Sequence, residues 1–153
     1  MNIQMDKALK KIQNNIANFI KSIDEELSIS FNNGEGYYFE TETNTVNVDL
    51  TDLEDCGFMR HLKEIHKCSF AYDYPLFIWS ILHEIGHYET EWELLEDDDE
   101  AELRFWLSLT DENCRDNIEI QNKYYGLTAE WEATEWAIQW IKENKDELKK
   151  LVI

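Results

Sequence analysis

The stretch Leu76-Phe77-Ile78-Trp79-Ser80-Ile81-Leu82-His83-Glu84-Ile85-Gly86-His87-Tyr88-Glu89 decides how this chain is read. Leu76, Trp79, Leu82 and Ile85 recur at three- and four-residue intervals, the spacing that gathers side chains on one face of a helix. Pro75, the only proline, sits where a first helical turn begins, and Asp73 behind it is the candidate cap. Near the end of this helix, His83 and His87 stand one turn apart with Glu84 beside them, the HExxH pattern. Two imidazoles so placed can share one Zn2+ ion, and Glu84 is positioned to take a proton from a water on that metal. Zinc lowers the pKa of such a water to ~7, so a carboxylate base suffices at neutral pH. The neighbours Ile81, Ile85, Gly86 and Tyr88 are uncharged, and Gly86 lets another element pass close to the helix. Glu89 brings the helix out toward solvent.

A catalytic zinc takes a third protein ligand and leaves a fourth position for water. The four histidines are His61, His66, His83 and His87, and the extended HExxHxxGxxH pattern fails because position 90 is Thr and position 93 is Glu. A carboxylate is therefore expected. On a wheel of ~100° per residue, Leu127, Trp131, Ala133, Trp136, Ala137, Ile138, Trp140 and Ile141 form one arc of a final helix spanning about Thr128 to Lys150. Glu130 falls inside that arc, whereas Glu132 and Glu135 face the polar side. A carboxylate on an apolar face needs a partner, and a metal ion supplies one. Glu130 is the expected third ligand, set against the plainer reading of a helix-start glutamate stabilised by the backbone dipole.

With these residues in hand, the sequence resembles the ImmA/IrrE-type zinc metallopeptidases of bacteria and their phages, within the gluzincins. That family carries HE(I/L/V)GH on one helix and Glu-x-x-Ala-(Asn/Asp)-x-Phe-Ala on a second; here the second motif reads Glu130-Trp131-Glu132-Ala133-Thr134-Glu135-Trp136-Ala137. The resemblance implies His83, His87 and Glu130 as ligands, Glu84 as general base, and Thr45 to Leu50 as a sheet-edge strand that pairs with an extended substrate. It also implies a protein substrate of the phage or mobile-element repressor type. Thr134 departs from the family's Asn or Asp, which orients the first histidine. The 43 positions from His87 to Glu130 are a longer gap than the family's, and the 88–127 insert is expected to cover or reshape the cleft.

Outward from the motif, Leu9, Ile12, Ile16, Phe19, Ile20 and Ile23 predict an N-terminal helix from Ile3 to about Glu26, with that face inward. Ile29 and Phe31 precede Asn32-Asn33-Gly34-Glu35-Gly36, a hairpin-turn signal, so Tyr37 to Glu42 is expected as the returning partner strand. Thr45 to Leu50 alternates polar and apolar residues, as a strand buried on one face does. The three strands suggest a small antiparallel sheet. Phe58 to Cys68 is read as a helix bearing His61 and His66, and Leu103, Phe105, Trp106 and Leu109 mark another. The expected fold is a single α+β, minimal zincin-like domain over 1–153.

The 153 residues carry 33 Asp and Glu against 14 Lys and Arg, a net charge of −19. Six Trp, seven Tyr and seven Phe can bury enough apolar surface to exclude disorder. The acidity argues against nucleic acid and anionic membranes as partners, and favours a basic protein or peptide substrate. Cys56, Cys68 and Cys114 form no CxxC pair; together with the lack of a signal peptide or membrane span, they predict a cytoplasmic protein. Cys56, His61, His66 and Cys68 match no common zinc module and read as buried thiols and ordinary histidines. Asp97-Asp98-Asp99-Glu100, within the acidic stretch Glu96 to Glu100, lacks a calcium-loop register and reads as a solvated turn. Trp131, Trp136 and Trp140 are expected in the core. Tyr88, Tyr124 and Tyr125 are unranked candidates for stabilising an oxyanion. The expected function is zinc-dependent hydrolysis of a peptide bond in a cytoplasmic protein. The alternative is a non-catalytic acidic binding protein on the same fold, or a decoy mimicking DNA, for which an intact Glu84 has no use.

Overall fold

The computed structural model describes residues 3–52, 57–90 and 118–149. Cys56, Cys114, the acidic stretch 96–100 and the expected helix through 103–109 lie outside them, as does most of the 88–127 insert. In chain order the elements are α1 (Ile3–Ile23), β1 (Ser28–Phe31), β2 (Tyr38–Glu40), β3 (Thr45–Val48), α2 (Phe58–Glu64), a short 3-10 turn (Ala71–Asp73), α3 (Leu76–Glu89), α4 (Ile118–Tyr125), α5 (Thr128–Glu143) and α6 (Lys145–Lys149). Among the described residues this is a mixed α+β arrangement with one three-stranded sheet.

The sheet is mixed, not antiparallel. Its order is β1-β3-β2, with β1 parallel to β3 (Ser28 opposite Thr45) and β2 antiparallel to it (Phe39 opposite Val46). The expected pairing of β1 with β2 fails because the Asn32–Gly36 segment wraps a carboxylate instead of making a tight turn. Asp49, just past β3, accepts from the backbone N–H of Gly34 (2.9 Å), Gly36 (2.9 Å) and Thr51 (3.0 Å), and from the Thr51 hydroxyl. These bonds hold the Asp49 carboxyl below its ordinary range: the Thr51 hydroxyl contributes most, burial opposes it, and the backbone donors add to it. Gly34 and Gly36 adopt φ of +96° and +79°, which only glycine takes without strain. The loop so held leaves one strand's width between β1 and β2, and β3 fills it.

β3 is therefore central and not a sheet edge, and Val46, Asn47 and Val48 are all buried. The strict alternation misleads because Asn47, polar in sequence, is buried as well.

Ile16, Phe19 and Ile20 in the second half of α1 pack inward, whereas Leu9 and Ile12, expected on the same inward face, are exposed. α2 ends at Glu64, earlier than the periodicity predicts. Lys67 takes a left-handed φ of +58°, Cys68 N–H bonds back to Leu62, and His66 is turned out of the helix. The final helix is likewise broken. Asn144 stops α5 and its side-chain amide donates to the Trp140 carbonyl (2.9 Å) before α6 begins.

α3 is packed on several sides by the other described elements. Ile78, Trp79, Ile81, Leu82 and Ile85 are 0–2% exposed, and the Trp79 indole donates to the Ala71 carbonyl (2.9 Å). A helix apolar on most of its faces is stable only when packed on several sides, and α3 is packed against α5, β2 and β3. Asp73 does not cap it. Pro75 forces Tyr74 into extended backbone, and the Pro75 carbonyl itself accepts the first helical bonds from Ile78 and Trp79. α5 meets α3 backbone to backbone at Gly86, where an added Cβ would lie 2.5 Å from the Ala133 carbonyl oxygen. Trp136 and Trp140 pack against the core, while Trp131 stacks on His66 with centroids 3.8 Å apart. Among the described residues no helix is long and apolar enough to cross a membrane.

Candidate metal centre

The last turns of α3 present His83, Glu84 and His87 on adjacent positions, with one potential ligand atom from each within 4.8 Å of the others. Both histidines are 8% exposed, and their rings meet edge to face at 4.7 Å. The edge of Phe58, from α2, packs on His83 at 5.4 Å and limits its rotation.

α5 brings Glu130 to the same point. Its carboxylate is 2% exposed, and Oε2 lies 2.5 Å from His83 Nε2 and 3.2 Å from His87 Nε2. Burial alone would raise the Glu130 pKa, but the facing His83 and His87 outweigh it and hold the carboxyl well below the usual range. Glu84 goes the other way: burial pushes its carboxyl up, Glu130 adds to the rise, and the two imidazoles oppose it.

One turn along α5, Thr134 holds the Nδ1 side of the His83 ring. The Thr134 hydroxyl donates to the Glu130 backbone carbonyl (2.9 Å), which uses its only proton. At 3.1 Å from His83 Nδ1 it must then accept, so Nδ1 carries the hydrogen. Nε2 is the nitrogen left facing a carboxylate oxygen of Glu130. An imidazole nitrogen and a carboxylate oxygen 2.5 Å apart need a positive centre between them, either a proton or a metal ion.

The fit to zinc is a matter of edge lengths. Bonds of roughly 2.0–2.2 Å in a tetrahedral site put neighbouring ligand atoms about 3.3 Å apart. The His87–Glu130 distance of 3.2 Å already has that length, and the His83–Glu130 pair has to open by about 0.8 Å. Two imidazole nitrogens and a carboxylate oxygen are a donor set that zinc accepts.

Tyr124, at the end of α4, completes the surroundings of Glu130 by donating its hydroxyl to Oε1 at 2.6 Å. The sequence leaves Tyr88, Tyr124 and Tyr125 unranked, because adjacent residues on a helix diverge by ~100° and only the fold says which one faces the site. Tyr125 packs between Phe58 and His61, and Tyr88 donates to Glu26 at 3.3 Å.

His61 and His66 lie to one side, their rings 5.0 Å apart. Burial pushes the His61 pKa down to about 4, with His66 and Arg60 adding to the fall and Asn122 opposing it. Burial, then the charge of His83, brings His66 to about 4 as well. Cys68 is a buried free thiol raised by burial. Among the described residues these three form no group of metal-holding geometry. Glu132 is exposed, and Glu135 reaches His66 Nδ1 at 3.5 Å rather than the centre.

No family model, no curated protein and no solved structure matches this chain.

Proposed function

We propose that the chain is a zinc-dependent metallopeptidase of the ImmA/IrrE kind on a zincin-like fold, with His83, His87 and Glu130 as ligands and Glu84 as general base. The observation that carries this reading is the meeting of two imidazole nitrogens and a buried carboxylate oxygen at one point, with His83 Nδ1 engaged by Thr134 so that Nε2 is the nitrogen turned to that point. A zinc ion held there would polarise both the attacking water and the scissile carbonyl. Glu84, next to His83, would take a proton from a water held at that point and return it to the departing amine nitrogen. Its raised pKa suits that second task. β2, an outer strand whose Phe39 ring meets Tyr88 of α3 at 5.5 Å, offers the sheet edge for an extended substrate that the sequence assigns to β3.

The substrate class follows from charge: at −19 the protein favours a basic protein or peptide. A regulator of the phage or mobile-element type, met in the reducing cytoplasm, fits both the resemblance and the free Cys68 thiol. The same charge favours a second reading, a non-catalytic acidic binding protein. Elemental mass spectrometry on tag-free protein separates the two. About one zinc per chain, lost in His83→Ala and Glu130→Ala but retained in Glu84→Gln together with loss of proteolysis, is the expected result. Absence of metal after zinc is added back overturns the peptidase reading.

A further inference from the structure

We infer that Tyr124 is a positioning residue that turns one oxygen of Glu130 away from the two histidines and so commits this carboxylate to single-oxygen presentation. The inference rests on the metal-centre reading above. Its ground is the way the two carboxylate oxygens are divided: Oε2 faces both Nε2 atoms, at 2.5 and 3.2 Å, while Oε1 accepts the Tyr124 hydroxyl at 2.6 Å. A phenol held to a carboxylate oxygen has only one way to bond, as donor, so the contact has a fixed sense. The terminal torsion of a glutamate is otherwise broad and nearly two-fold, and nothing in the side chain itself would keep one oxygen back.

The tyrosine is placed to resist that rotation. Its helix, α4, is clamped to α2 by the Arg60 guanidinium, which donates to Gln121 Oε1 and Asn122 Oδ1, both at 3.1 Å. The next residue, Tyr125, is wedged between Phe58 and His61. Gly126 and Leu127 then turn the chain tightly, their N–H groups bonding back to Asn122 and Tyr124, and α5 starts at Thr128, which puts Glu130 six positions after Tyr124. Glu130 is thus gripped through its carbonyl by Thr134 and through Oε1 by Tyr124. A carboxylate bound through one oxygen would leave a three-ligand zinc four-coordinate with its water, whereas binding through both oxygens would raise the coordination number. The Tyr124 hydroxyl, by occupying Oε1, favours the first arrangement.

The test uses cobalt(II) as a spectroscopic stand-in for zinc, with wild type, Tyr124→Phe and Glu130→Ala titrated side by side in the full chain. In Tyr124→Phe the visible d–d bands are expected to weaken and shift, as they do when a second carboxylate oxygen raises the coordination number. Zinc affinity, measured by chelator competition, is expected to fall by roughly 10- to 100-fold. Each variant is compared with its own metal-free thermal unfolding, so a general loss of packing cancels. Tyr124→Leu removes the same hydroxyl and takes the place of the Phe variant where that does not fold. Unchanged bands and affinity in Tyr124→Phe, with metal lost in Glu130→Ala, overturn the role of Tyr124 and leave the metal centre standing. Failure of the wild type to bind either ion overturns both.

Discussion

Replacing Gly86 by alanine separates the effect of the α3–α5 contact on the metal site from its effect on stability. The new methyl would stand 2.5 Å from the Ala133 carbonyl oxygen, 2.9 Å from its Cα and 3.0 Å from its carbonyl carbon, where ordinary contact begins at 3.4 Å. All three atoms are backbone, so no side chain can swing aside, and the helices must part by about 0.9 Å. Overpacking of this kind costs ~1–3 kcal/mol, and alanine's better helix propensity offsets about 1 kcal/mol of it. The metal-free protein should therefore lose no more than about 2 kcal/mol. The site fares worse. Gly86 lies between His83 and His87, and Ala133 lies between Glu130 and Thr134, so the same displacement stretches the His87–Glu130 edge from 3.2 Å to about 4 Å, beyond the tolerance of roughly 0.5 Å that a functional site allows. Zinc affinity should fall at least about tenfold, read by chelator competition beside urea unfolding of the metal-free protein. Zinc affinity within a factor of about two of wild type would refute the claim that this contact sets the width of the site.

Thr134→Val keeps the shape but removes the acceptor for His83 Nδ1–H, so zinc affinity should drop roughly 10- to 100-fold; an unchanged chelator titration would assign the His83 tautomer to another partner. His61 and His66 are held near pKa 4 against 6.5 for an ordinary histidine, so the folded state binds fewer protons than the unfolded state between those values. Stability is then complete above pH 6.5 and is lost as pH falls toward 4, by up to about 2 kcal/mol per pH unit for the pair after allowance for screening. Urea midpoints of wild type and His66→Phe should diverge between pH 7 and 5, and parallel profiles would contradict this. Asp49→Ala strips the acceptor from four hydrogen bonds and should cost about 2–4 kcal/mol in urea unfolding with zinc content unchanged; a loss under about 1 kcal/mol would mean that water replaces the carboxylate.

The helices were legible wherever a long apolar period ran uninterrupted. α3 announces itself by its four-residue rhythm, and the wheel places Glu130 on the inner face because helical geometry turns sequence position directly into direction. Legibility failed where a single polar group redirected the chain. The glycines at 34 and 36 look like a hairpin turn, but Asp49, thirteen or more positions later, uses their N–H groups as ligands for its charge, and no local pattern carries that information. Lys67 gives no warning that it will adopt a left-handed backbone, so His66 reads as helical when it is not. Tyr124 and Tyr125 are the same residue type side by side, and only the packing of α4 assigns one to Glu130 and the other to the core. Asn47 shows the limit of hydrophobic alternation, since a central strand buries its polar members too.

The convergence of α3 and α5 also has a polymer-level consequence. An ion shared by His87 and Glu130 would join two points 43 positions apart, making the intervening chain a closed ring in any state that keeps the bond. By the loop-closure relation used for disulfides, a link across a ring of this size removes unfolded-state entropy equivalent to about 4 kcal/mol. Metal loading would therefore act as a reversible covalent-like staple, and a chelator would open that ring as a reductant opens a disulfide.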